Sequence, residues 1–141
     1  MDITVTADPD QDDIARVDQN LSEFNDDDVG PAERTPLSVF VRDADGLVIA
    51  GINALTAWGW LYVQRLWVGE DARGQGVAGR MLAAAEEEAL ARGCHSAFID
   101  TFNPVALKAY QRAGYVEFGR MQNFVAGRDR IFLQKKLQGP E

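Results

Sequence analysis

Leu66-Trp67-Val68-Gly69-Glu70-Asp71-Ala72-Arg73-Gly74-Gln75-Gly76-Val77-Ala78-Gly79-Arg80 reads as the end of a strand, a glycine-rich turn and the start of a helix. Before it, Trp60 to Val68 is a run of aromatic and apolar residues suited to a strand. After it, Ala78, Met81, Leu82, Ala85 and Ala89 recur at helical spacing from Val77 to Arg92, and Gly93 is placed to end the helix. A helix that begins at such a turn offers unpaired amides and the positive end of its dipole, which together favour an anion such as a phosphate. Gly74 and Gly76 let the backbone approach a ligand without Cβ interference, and Arg73 and Arg80 add positive charge. The segment lacks the lysine and hydroxyl of a Walker loop. Gly74, Gly76 and Gly79 do carry dinucleotide-fingerprint spacing, so on spacing alone a nicotinamide cofactor stays open. The neighbourhood weighs against it, because the strand follows antiparallel hairpins rather than opening a parallel nucleotide fold.

Working outward, Ile3 to Ala7 alternates apolar and polar residues and predicts a short first strand. A helix follows, capped by Asp8 or Asp10, with Ile14, Val17, Leu21 and Phe24 as the stripe facing a core. Asn25 to Thr35 contains three aspartates, Gly30 and Pro31, and predicts a loop or short irregular helix that connects onward. Leu37 to Val41 and Leu47 to Leu55 form a hairpin across Asp43-Ala44-Asp45-Gly46, and Ala57-Trp58-Gly59 makes the next turn. Alternation in Trp60 to Val68 puts Leu61, Val63, Arg65 and Trp67 on one face, and Tyr62, Gln64, Leu66 and Val68 on the other. Glu86, Glu87 and Glu88 are expected to face water. Ser96 to Thr101 is a short strand, Pro104 to Ala113 a helix, and Tyr115 to Met121 with Arg130 to Leu137 a closing antiparallel pair. The whole predicts one α/β (α+β) domain over residues 1–141, with a mixed, mostly antiparallel sheet of about seven strands flanked by helices.

The 141 residues, 46% hydrophobic and 26% charged, suit one soluble globular domain. No apolar run is long enough to span a membrane and the start lacks a signal-peptide layout, so no membrane and a cytoplasmic location are expected. Cys94 and His95 are the only cysteine and histidine, which makes a metal site or a serine–histidine–aspartate triad a poor expectation. Cys94 reads as buried packing. The net charge of −8 is concentrated at the front: residues 1–30 hold ten acids against Arg16 alone. An acidic front on a near-neutral body argues against nucleic acid as partner and is compatible with a cationic small molecule.

Two segments together carry a resemblance. Arg73-Gly74-Gln75-Gly76-Val77-Ala78 resembles the pyrophosphate loop of the GNAT acyl-coenzyme A N-acyltransferase superfamily, and Asn103, Ala106, Tyr110, Gly114 and Tyr115 fit its N-x-x-A-x-x-x-Y-x-x-x-G-(F/Y) segment. The match covers about Leu61 to Gly119. It implies a GNAT-like sheet with a V-shaped opening between strands four and five, and acetyl-coenzyme A as acyl donor without a metal. The donor's pyrophosphate would lie on Gly74, Gln75, Gly76, Val77, Ala78, Gly79 and Arg80, framed by Arg73. Pantetheine would run between Leu66, Trp67 and Val68 and the strand Phe98 to Thr101, with Asn103 and Lys108 as further donor-binding residues.

The implied reaction is N-acetylation by direct attack of an amine in a ternary complex. Tyr110 is the candidate proton donor to the leaving sulfur. The strand Trp60 to Val68 has no carboxylate where many relatives carry a glutamate, so Asp100 is the first candidate base and the Asp26 to Asp28 cluster, through water, the second. The first helix and the loop after it would form one lip of the acceptor cleft, making Phe24, Asp26, Asp27, Asp28, Trp60 and Tyr62 the candidate substrate residues. The acceptor expected is a small-molecule amine. A protein or aminoacyl-tRNA amine, or a non-catalytic acyl-coenzyme A sensor, stays open, and a homodimer through strands such as Arg130 to Leu137 is an expectation.

Overall fold

The computed structural model describes residues 1–138 and separates into two compact units, Met1–Ala32 and the chain from Glu33 onward. The first unit contains helix α1 (Gln11–Val29), opened by Asp10, whose side chain accepts from the Asp12 amide at 2.8 Å. Ile3 to Ala7 forms no strand; a strand needs a neighbour to bond its backbone, and no other strand belongs to this unit. The helix also runs further than the loop expected from Asn25, so Asp26 to Asp28 lie in its last turns. It ends at Gly30 (φ +99°), whose amide bonds the Asp26 carbonyl at 3.0 Å, while the Asp26 side chain accepts from the Ala32 amide at 3.1 Å. No residue of α1 is buried, and the stripe Ile14, Val17, Leu21 and Phe24 is exposed rather than packed on a core, since its unit contains no element to cover it.

The second unit is a six-stranded sheet in the order β1-β2-β3-β4-β6-β5, rather than the expected seven strands. Its strands are β1 (Thr35–Arg42), β2 (Val48–Ala57), β3 (Trp60–Val68), β4 (Ser96–Thr101), β5 (Val116–Val125) and β6 (Arg128–Lys136). Only β3 and β4 pair in parallel, across helix α2 (Val77–Ala91); helix α3 (Pro104–Arg112) leads from β4 to β5. The β2–β3 turn, at Trp58 and Gly59, has positive φ at both residues (49° and 77°), the backbone twist that suits two-residue hairpins. The closing hairpin turns in the same way at Ala126 and Gly127, so β5 runs past its expected end at Met121 and β6 begins before Arg130.

The core lies between the sheet and α2. Leu82, Ala85 and Ala89 of the helix are fully buried against Ala50, Leu61, Ala97 and Leu133 of the strands. Asn53 pairs with Arg65 but Ala54 with Val63, leaving Gln64 as an extra residue in a β-bulge. Beyond it the alternation reverses: Leu61 and Val63 are buried, then Leu66 and Val68 pack on the core while Arg65 and Trp67 are exposed. The expected grouping of Arg65 and Trp67 with Leu61 is thereby corrected, because a one-residue insertion changes the face of every residue after it.

Candidate active site

The parallel pairing of β3 and β4 runs from Trp60↔Ser96 to Val63↔Ile99 and stops. From there β3 bonds only β2, through Arg65, Leu66, Trp67 and Val68, while Asp100 and Thr101 bond only β6. The strands part at this point. Each leaves one edge without strand partners, so backbone donors and acceptors of Leu66 to Val68 line one side of a gap and those of Asp100 and Thr101 the other.

At the end of β3 the chain passes through a short 3-10 turn (Glu70–Ala72) into the start of α2. Arg73 Nε donates to the Val68 carbonyl at 3.2 Å and Gln75 Nε2 to the Asp71 carbonyl at 3.1 Å, which braces the loop from both sides. Gly76 caps α2 in the left-handed conformation (φ 69°, ψ 21°) without any side-chain hydrogen bond. Its carbonyl takes the Arg80 amide at 3.2 Å, so the amides of Val77, Ala78 and Gly79 precede the first intrahelical bond. A Cβ built on Gly74, Gly76 or Gly79 would meet nothing within 4 Å. No acid occupies the first turn. Open amides, open space and an uncompensated dipole fit the phosphates of a nucleotide-bearing donor. Beside them, a cavity of about 400 Å³ runs between α2 and α3, with Arg112 and Lys135 in its lining.

Helix α3 begins differently. Asn103 Oδ1 accepts from the amides of Val105 and Ala106 at 2.8 and 3.1 Å, and Pro104 in the first turn has no amide to satisfy. This helix delivers Tyr110, only 4% exposed. Burial foremost, and then the negative charge of Asp100, pushes its phenol up to about 12. No hydrogen bond reaches its hydroxyl, and no sealed side-chain polar atom lacks a partner among the described residues, so that hydroxyl opens to solvent. Asp100 is held by Arg130, whose Nε donates to Oδ1 at 2.9 Å. Its Oδ2 has no partner among the described residues. Tyr115 is the closed counterpart: its hydroxyl donates to Glu86 at 3.0 Å, and Lys135 Nζ donates to the same carboxylate at 2.6 Å. Glu86 is therefore buried, not solvent-facing as expected, because a tyrosine and a lysine compensate its charge.

The structure thus brings Tyr110 and Asp100 within electrostatic reach and sets Leu66, Trp67 and Val68 and residues 73–80 around the gap. Trp60 and Tyr62 line a second cavity with Phe98. Lys108 is exposed on α3. Phe24, Asp26, Asp27 and Asp28 lie on α1, in the other unit.

Residues 4–115 match the model of the Acetyltransferase (GNAT) family. An acetyltransferase of Agrobacterium fabrum is 42% identical over 118 residues, which cover 84% of this chain and 82% of the relative. The chain belongs to the GNAT family. It is accordingly an acyltransferase. The blasticidin-S acetyltransferase of Streptomyces morookaense is 33% identical over 109 residues, covering 74% of this chain and 80% of that protein. A crystal structure from Agrobacterium tumefaciens superimposes with a TM-score of 0.91 at 38% identity, covering 96% of this chain and 99% of the other.

Within this GNAT chain several neighbours of the site carry no signal in the sequence. Arg130 grips Asp100 from 30 residues away, and the bulge at Gln64 exists only as a mismatch between two strands. Cys94 is buried, and desolvation raises its thiol, which suits packing rather than nucleophilic attack. His95 Nδ1 lies 2.9 Å from Ser96 Oγ. Among the described residues no group of three or more metal-binding side chains converges, and no helix is long and apolar enough to cross a membrane.

Proposed function

We propose that the protein is an N-acetyltransferase that moves an acetyl group from acetyl-coenzyme A to the primary amine of a small molecule, by direct attack in a ternary complex. The observation that carries this reading is the parting of β3 and β4 after Val63 and Ile99, directly beside a helix start left without a cap. The amides of Val77, Ala78 and Gly79, with Arg73 and Arg80 around them, would hold the donor's pyrophosphate. The free edge of Leu66 to Val68 would bond the pantetheine amides and place a backbone N–H against the thioester oxygen, where negative charge develops. Asn103 and Lys108 stand at the start and along the flank of α3 as further donor contacts.

The incoming ammonium first loses a proton, for which the free Oδ2 of Asp100 is the proposed acceptor, directly or through water. The neutral nitrogen then forms the C–N bond as the C–S bond breaks. The nitrogen sheds a second proton and the departing sulfur gains one, so the products are amide, thiol and one proton released to water. With its phenol pushed up to about 12, Tyr110 stays protonated at neutral pH and donates a hydrogen bond to the sulfur as charge builds there. Arg130 acts through Asp100, keeping its carboxylate oriented.

A cytoplasmic location and a homodimer accompany this reading as proposals. Calorimetric titration with acetyl-coenzyme A, beside a nicotinamide dinucleotide, tests it together with thiol release over a panel of amines that includes blasticidin S. Micromolar binding of acetyl-coenzyme A and amine-dependent thiol release are expected. Preference for the dinucleotide, or binding without release for any amine, would overturn it.

A further inference from the structure

The face of the sheet opposite α2 holds a cavity of about 480 Å³. Trp60, Tyr62 and Phe98 form its wall: Tyr62 and Phe98 stack with centroids 4.3 Å apart and planes 9° apart, and Trp60 meets Phe98 edge-on at 5.9 Å. Gln134, the β6 partner of Phe98, and Phe118 complete the lining beside them. Tyr62 and Phe98 are themselves a parallel pair, one step before the last pairing at Val63 and Ile99. The aromatic wall therefore ends where the strands part, and a group seated on it stands beside the gap that receives the thioester.

Charge decides what such a group is. Arg34 is the one charged side chain in the lining, no carboxylate shares it, and no ion pair engages Arg34 among the described residues. A polyamine entering here could set one ammonium near Asp100 at the gap, but its other ammonium groups would lie desolvated beside a guanidinium with no carboxylate in the lining to compensate them. A flat ring gains contact area and favourable ring geometry, and a carboxylate gains a charge-assisted, two-pronged hydrogen bond.

We propose that the acceptor is a small amine bearing an aromatic ring and a carboxylate, the ring against Trp60, Tyr62 and Phe98 and the carboxylate on Arg34. This rests on the acetyltransferase reading and narrows it from amines in general to zwitterionic aromatic ones.

Thiol release at saturating acetyl-coenzyme A is measured for phenylalanine, tryptophan and an aminomethylbenzoate, each beside its methyl ester and, for the amino acids, the decarboxylated amine, with spermidine as polycation. The acids are expected to exceed their counterparts without a carboxylate at least about tenfold in kcat/KM, the effect of one charge-assisted contact. That ratio should fall to near one in Arg34→Gln, through KM, and recover in part in Arg34→Lys. Equal or better turnover of esters, decarboxylated amines or spermidine overturns the acceptor assignment, as does failure of every acid while calorimetry shows acetyl-coenzyme A bound. Absence of acetyl-coenzyme A binding overturns the acetyltransferase reading itself, which separates the two failures.

Discussion

Helices α2 and α3 both follow a strand and both begin near the gap, yet one start is closed and the other open. Asn103 caps α3 with two hydrogen bonds, whereas Gly76 offers α2 none. The same division separates the two buried tyrosines: the Tyr115 hydroxyl is sealed onto Glu86, and the Tyr110 hydroxyl makes no hydrogen bond among the described residues. Closed polar groups contribute to stability through bonds that are always made. Open ones are left for a ligand, and their cost is repaid only when it binds.

The strongest way to break the comparison is to close the open helix. Gly76→Asp places a capping carboxylate in a left-handed position that aspartate tolerates, at the point where a pyrophosphate would sit. Acetyl-coenzyme A affinity should fall at least about 100-fold by calorimetry, from like-charge repulsion, with only a modest loss of thermal stability from the left-handed backbone at this position. Next, Tyr110→Phe should lower kcat about 100-fold with little change in the donor's Kd. Tyr115→Phe should do the reverse, sparing kcat and costing about 1–3 kcal/mol in denaturant unfolding, since it leaves the buried Glu86 short of a donor.

A pH series sharpens the same contrast. Folding raises both phenols, so the native state keeps protons that the unfolded chain loses above its ordinary tyrosine pKa near 10. The Tyr110 contribution is complete below about pH 10 and is lost as pH rises toward 12, by about 2–3 kcal/mol, and that of Tyr115, raised further, goes on falling above this. Urea unfolding at pH 8 and pH 11 reads about half of the Tyr110 loss, about 1–2 kcal/mol, and Tyr110→Phe should reduce the dependence to what Tyr115 contributes. The smallest effect is expected at the closed helix: Asn103→Ala should cost about 1 kcal/mol, whereas Asn103→Asp should keep the cap and the stability. If Asn103 also touches the donor, both variants will weaken acetyl-coenzyme A binding.

The local elements were legible wherever one segment held the whole signal. Asp8 or Asp10 and Pro104 announce helix starts, and Gly74 and Gly76 announce a turn that leaves amides open, because capping and backbone freedom act within a few residues. Strand Ile3 to Ala7 misled, since its alternation is real but a strand exists only with a neighbour to pair. Asp26 to Asp28 misled in the opposite sense, their poor helix propensity being outweighed by continuation of α1 to Gly30.

By itself the sequence determined the order of most elements, the family and the open helix start, all of which follow from short-range pattern and motif spacing. Tertiary structure alone decided which groups are free. Asp100 is partly engaged because β6 brings Arg130 to it, and Glu86 is buried because Tyr115 and Lys135 converge on it. The gap itself exists because pairing stops after Val63 and Ile99 while each strand keeps its other neighbour. Hydrogen bonds and ion pairs between residues 29 to 49 positions apart depend on how the sheet is assembled, and no local pattern encodes them.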